Sequence, residues 1–162
     1  MDITPTPQSN VGGVQPQQVQ PTQSQGQSLD PSIVALTKAI GKTESKGKYN
    51  APSGDAGSPA SAYQFTPGFI DKWGPSVLGS QYQKGNYNLT PAQQDQLAYG
   101  AIKTMGTTGD PGYAYLGKLT PAQIASAWNA GDPNAYQDPN YGKNNAYGST
   151  ANYVGINVLY YG

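Results

Sequence analysis

Residues 30–47 read DPSIVALTKAIGKTESKG. An aspartate before a proline is a helix start: the Asp30 carboxylate can accept a free backbone N–H, and Pro31 has no N–H to leave unpaired. Placed on a helical wheel at 100° per residue, Ile40 and Glu44 each fall within about 20° of Ile33. Lys38, Lys42 and Lys46 fall on the opposite side. The cations therefore face water, and the carboxylate lies along the apolar stripe. Glu44 is the sole glutamate of the chain. Burying a carboxylate costs several kcal/mol unless it is paired or protonated, and a site that needs a protonated carboxyl near neutral pH is built this way. The partial negative charge at a helix C-terminus disfavours ionisation further. The plain alternative is a surface ion pair between Glu44 and Lys48, which Gly47 weakens by ending the helix before Lys48.

The helix-start device recurs as Thr66-Pro67, Thr90-Pro91 and Thr120-Pro121, and a last helix is expected from Ser149 to Tyr160. The pentapeptide LTPAQ occurs at 89–93 and again at 119–123, an echo that capping alone explains. No period-2 run of useful length appears, so the chain predicts an all-α domain. The turn-rich SGDAG followed by SAYQF leaves room for a small β-hairpin within 47–65. The longest loops, 47–60 and 131–149, are rich in Gly, Asn, Asp and Pro, and long loops in compact domains are often functional.

Upstream the character changes. Residues 1–28 hold eight Gln and four Pro, with no charge after Asp2. Such a stretch cannot bury a core. The expected division is an extended tail over 1–29 and a folded domain over 30–162.

Composition excludes several classes. The 162 residues carry zero net charge and no arginine, histidine or cysteine. A nucleic-acid binder would show a basic, arginine-bearing patch. Disulfide, zinc, thiol and histidine chemistry all lack their residues, and neither a metal nor another cofactor is expected. No apolar run reaches membrane-span length, and the N-terminus does not read as a secretory signal. Leu, Ile, Val and Phe total only 24, while the 13 tyrosines all lie at or after Tyr49. Tyrosine joins a large apolar face to a polar tip, which suits both packing and sugar recognition.

The order of landmarks then matters. Thr43-Glu44-Ser45 closes the first helix. Ser61-Ala62-Tyr63-Gln64-Phe65-Thr66-Pro67 follows a Gly/Ser-rich loop. Ala125-Ser126-Ala127-Trp128-Asn129-Ala130-Gly131 lies in a later helix, and Tyr153-Val154 in the last one. Over residues 31–162 this resembles the lytic transglycosylase domains of the lysozyme-like superfamily found in phage virions and bacterial envelopes. Those domains show a Glu-Ser at the end of the first helix, a Gly-x-x-Gln-x-x-Pro element, an Ala-x-Tyr-Asn-x-Gly helix and a final Tyr-Val. Here Ser61 replaces the glycine, Trp128 replaces the tyrosine, and Ser149-Thr150-Ala151-Asn152 stands where Glu-Thr is usual. The Tyr-Gln-Phe form is closer to phage members.

The resemblance implies a peptidoglycan lytic transglycosylase cleaving the MurNAc–GlcNAc β-1,4 bond to 1,6-anhydro products. It would ride in the virion or tail and act on the host cell wall to aid genome ejection. Glu44 would be the catalytic acid and base. Gln64 and Asn129 would hydrogen-bond the glycan beside Ser45, Tyr153 would position Glu44, and Tyr63 and Trp128 would line the groove. Each has a plainer reading: Gln64 a loop amide, Asn129 a helix cap before Gly131, Trp128 core. Glycosidases usually need a second carboxyl. Asp55 is the one carboxylate of the loop after Glu44, either that partner or a turn residue of Ser53-Gly54-Asp55-Ala56-Gly57. With Asp55 active the chain would be a hydrolytic lysozyme; with neither active, a structural tail or connector protein. The expected partners are glycan strands and, through residues 1–28, other virion proteins.

Overall fold

A computed structural model describes residues 29–159. Five α-helices run in order: α1 (Pro31–Ser45), α2 (Pro67–Leu78), α3 (Pro91–Thr107), α4 (Pro121–Ala130) and α5 (Thr150–Leu159). Short 3-10 turns occupy Gly79–Gln81, Pro111–Leu116 and Ala135–Gln137. The expected tail over 1–28 and its contacts lie outside the described residues, as does Tyr160, the expected end of the last helix.

The helix starts follow the local code. Asp30, Thr66, Thr90 and Thr120 each accept a backbone N–H from the first turn that follows, with proline at the first helical position. The LTPAQ echo is two capping boxes. Gln93 and Gln123 reach back to the N–H groups of Thr90 and Thr120, while those threonines cap Gln93 and Gln123. Each such cap is worth about 1 kcal/mol, which is why five short helices can form with so few large aliphatic residues.

Helix α3 is the centre of the core. Leu97, Ala98, Ala101 and Ile102 are sealed from solvent, and they pack with Leu36 and Ile40 of α1 and Ile70, Trp73 and Leu78 of α2. Gly100 permits the close approach of α2, since a Cβ there would lie 2.4 Å from Val77 Cγ1. A smaller cluster of Ala125, Tyr153 and Val154 joins α4 to α5, and Trp128 bridges it to the main core. This second cluster carries α5 against the end of α1, where Glu44 sits.

No strand forms among the described residues, and the hairpin that 47–65 left room for is absent. A single backbone bond, Ser61 N–H to the Ala51 carbonyl, crosses that loop. Pro52 and Pro59 lack the N–H groups a ladder needs, and Gln64 turns to a left-handed φ of 54°, which breaks the extended run. No helix among the described residues is long and apolar enough to cross a membrane.

Candidate active site

Helix α1 stops one turn short of Lys48. Lys46 adopts φ 58° and its N–H returns to the Lys42 carbonyl, while Gly47 N–H reaches the Gly41 carbonyl. This left-handed termination turns the chain away and leaves Glu44 in the last helical turn. Lys38, Lys42 and Lys46 are exposed, whereas Ile40 is sealed, so the two faces of the helix divide as its sequence indicated.

The Glu44 carboxyl makes no ion pair with Lys48. Its hydrogen bonds come from two tyrosines of the chain's far end. Tyr153 donates to Oε1 at 2.7 Å, and Tyr147 donates to Oε2 at 3.2 Å. Burial pushes the Glu44 pKa above its ordinary value of 4.5, against the two hydroxyls, which favour the charged form. Desolvation wins, and the carboxyl is held toward its protonated state. Both phenols are pushed up in turn, first by burial and then by the neighbouring carboxylate.

The tyrosines are themselves fixed. Their rings meet edge to face at 4.9 Å, and Tyr153 is fully buried. The Tyr153 carbonyl accepts from Asn157 Nδ2 at 2.9 Å, and Asn157 Oδ1 accepts from Thr43 Oγ1 at 3.0 Å. A buried amide thus ties α5 to the residue next to Glu44. On the other side, Tyr147 N–H donates to Asn145 Oδ1 at 2.9 Å, and Asn145 Nδ2 donates to Asn129 Oδ1 at 3.2 Å. Thr150 Oγ1 adds a second bond to Asn129 Oδ1 at 2.8 Å. Asn129 therefore lies inside α4 rather than capping it: Gly131 takes the cap at φ 73°. The structure links Asn129, Asn145, Tyr147 and Glu44 in one chain of contacts.

The remaining expected residues are spent differently. Ser45 Oγ donates to the Gly41 carbonyl at 3.1 Å and accepts Lys48 N–H at 3.0 Å, a helix-end role. Gln64 Nε2 donates to the carbonyls of Ser61 at 2.7 Å and Ala51 at 3.3 Å, which directs its amide hydrogens to backbone and leaves Oε1 as its acceptor. A non-glycine residue at positive φ is strained, and such strain gathers at functional sites. Trp128 packs among Tyr63, Phe65 and Phe69 and donates its indole N–H to the Tyr63 carbonyl at 3.2 Å, so it serves the core. Tyr63 is buried against Gly41 and gives its hydroxyl to Asp95 Oδ1 at 2.6 Å. Asp55 is exposed in a turn, with its N–H on Ser53 Oγ and its carbonyl accepting Ser58 N–H. It makes no hydrogen bond with Glu44. An apolar groove of about 820 Å³ is walled by α1, α2 and α3 and lined by Val34, Tyr49, Tyr63, Val77 and Tyr99 but not by Glu44.

Sequence reasoning missed Tyr147, Asn145, Asn157 and Thr43. Nothing local separates Tyr147 from the other loop tyrosines. Comparison with known protein families, with curated proteins and with solved structures finds no match for this chain.

Proposed function

We propose that this chain is a peptidoglycan lytic transglycosylase of the lysozyme-like kind, cleaving the MurNAc–GlcNAc β-1,4 bond with Glu44 alone. One observation carries the reading: a lone glutamate at the end of α1, desolvated, raised in pKa and held on both oxygens by tyrosine hydroxyls. A residue that acts first as acid and then as base needs a pKa near the working pH, and burial moves Glu44 in that direction.

The chemistry needs no second carboxylate. Glu44 gives its proton to the leaving glycosidic oxygen as the anomeric C–O bond breaks. The substrate's N-acetyl oxygen closes on the anomeric carbon, a substrate-assisted route. The Glu44 carboxylate then takes the proton of the 6-hydroxyl, whose oxygen displaces the acetamido oxygen and closes the 1,6-anhydro ring. Glu44 ends protonated, as it began. Asn129 Nδ2 would donate to glycan groups, and Gln64 Oε1 would accept from them. The Gln/Pro-rich residues 1–28 suit a tether to other virion proteins, which would carry the enzyme to the host wall for genome ejection.

Mass spectrometry of digested peptidoglycan tests this. Muropeptides ending in 1,6-anhydromuramic acid support the proposal. Ordinary reducing ends, lost in Asp55→Asn, would replace it with a hydrolytic lysozyme. No cleavage by the full chain would favour a structural tail or connector protein.

A further inference from the structure

Tyr147 and Tyr153 both donate to Glu44, but their alternatives differ. The Tyr153 hydroxyl is fully buried and has Glu44 Oε1 as its hydrogen-bond acceptor. The Tyr147 hydroxyl stands between two acceptors, Glu44 Oε2 at 3.2 Å and the Thr43 carbonyl at 3.4 Å. One O–H cannot serve both fully, and both distances are long for a hydroxyl donor. We infer that Tyr147 is a positioning residue with two hydroxyl settings, one for each protonation state of Glu44. The inference rests on the proposed acid-then-base role of Glu44.

When Glu44 is ionised, the Tyr147 O–H donates to Oε2 and the Tyr153 O–H to Oε1, so both oxygens are satisfied. When Glu44 is protonated, Oε1 keeps the short bond from Tyr153 and remains the carbonyl oxygen. The proton then belongs on Oε2. Tyr147 can no longer donate there; a rotation about its C–O bond turns the O–H to the Thr43 carbonyl. Its lone pair is left facing the Glu44 O–H, because a hydroxyl both donates and accepts. Neither state leaves a donor without an acceptor, and unpaired buried polar groups are the costly alternative. Oε2 is thus the oxygen that hands its proton to the leaving group and later collects one from the attacking hydroxyl.

The surroundings permit this. Among the described residues, Tyr147 and Tyr153 are the side chains that hydrogen-bond the Glu44 carboxyl. Lys42 and Lys46 of α1 are exposed on the far face of the helix. The ring of Tyr147 is pinned by Tyr153 edge to face and its backbone by Asn145, so the hydroxyl turns while the ring stays.

The chain has one glutamate, so labelling with [δ-13C]glutamate yields one glutamate carboxyl signal, whose titration reads Glu44 whether or not the protein is active. Tyr147→Phe should raise the Glu44 midpoint above wild type, because the bond lost to the charged carboxylate is stronger than the one lost to the neutral acid. Tyr153→Phe, losing the shorter and more buried bond, should raise it further. In the active enzyme the acid-to-base limb of the kcat/KM profile should move upward with the Tyr147→Phe midpoint. In the wild type, with [ζ-13C]tyrosine, the Tyr147 carbon should shift in step with Glu44. A Tyr147→Phe midpoint equal to or below wild type overturns the inference, as does a Tyr147 carbon indifferent to the Glu44 titration. Absence of cleavage by the wild type, with both titrations as expected, would instead count against the transglycosylase reading and leave the inference standing.

Discussion

Three carboxylates in this molecule, Glu44, Asp71 and Asp95, each accept a tyrosine hydroxyl on both oxygens, and Glu44 and Asp71 respond in opposite directions. Asp71 on α2 accepts the hydroxyls of Tyr82 at 2.6 Å and Tyr87 at 2.9 Å, one on each oxygen. Glu44 accepts Tyr153 and Tyr147, again one on each oxygen. At Asp71 the Tyr82 and Tyr87 hydrogen bonds dominate and hold the carboxyl below its ordinary value, while Tyr82 is pushed up to about 12. At Glu44 burial dominates and the carboxyl goes up. A pair of tyrosines therefore does not by itself raise a carboxyl's pKa; burial decides the direction. The Asp71 cluster fastens the segment after α2 to its parent helix. The Glu44 cluster holds a group whose charged form is penalised by burial.

The comparison breaks most easily at the reaction itself. Glu44→Gln keeps volume and removes the transferable proton, so release of soluble muropeptides should fall by about 10²–10⁴-fold, with the helical circular dichroism signal retained. Asp71→Asn should leave the rate at the wild-type level. Equal losses in both variants would mean that the two clusters are one structural type and that Glu44 has no chemical role.

A second test concerns what holds each cluster in place. Asn157 is sealed from solvent and bonded to Thr43 Oγ1 and the Tyr153 carbonyl. Asn157→Ala removes the buried amide that bridges α5 to α1 and should cost about 1–3 kcal/mol in urea unfolding. Tyr87→Phe at the Asp71 cluster should leave the urea midpoint almost unmoved, because water can replace the lost hydroxyl at a surface carboxylate. A stability loss as large as that of Asn157→Ala would show that Asp71 is more enclosed than its pKa indicates.

The parts of this fold written in neighbouring residues were legible. Four threonine or aspartate caps followed by proline marked four helix starts, and the spacing of Lys38, Lys42 and Lys46 against Ile33, Ile40 and Glu44 marked the faces of α1. The parts written across distance were not. The partners of Glu44 lie 103 and 109 residues away, and a loop tyrosine carries no local mark of the carboxylate it will meet. Tyr153 was placed beside Glu44 through family resemblance, not by its spacing. Gln64 shows the same limit: its positive φ and its amide bonds to the Ser61 and Ala51 carbonyls have no mark in the alternating SAYQF pattern, which leaves room for a strand. Trp128, expected to line the groove and with core as its plainer reading, is half-buried and packs against Phe65 and Phe69.

The finest discrimination lies in how the two carboxylates shape stability against pH. The Glu44 pKa is higher in the folded chain than the ordinary 4.5, so between those values the native state binds more protons than the unfolded one. Stability then declines as pH rises through that window. Glu44→Gln has no such term. Relative to wild type it should gain stability as pH climbs from below 4.5 past the folded midpoint, and hold that gain above it. Asp71 runs the other way. Its folded pKa lies below the ordinary 3.8, so its charge stabilises the native state above 3.8, and that contribution disappears as pH falls through the folded midpoint. Asp71→Asn should therefore be the less stable protein at neutral pH, with the gap closing in acid. Because Asp71 is screened by solvent, this gap should be the smaller of the two. Urea midpoints taken from pH 3 to pH 8 for both variants and the wild type should give difference curves of opposite sign. Curves of the same sign would mean that burial does not separate the two sites.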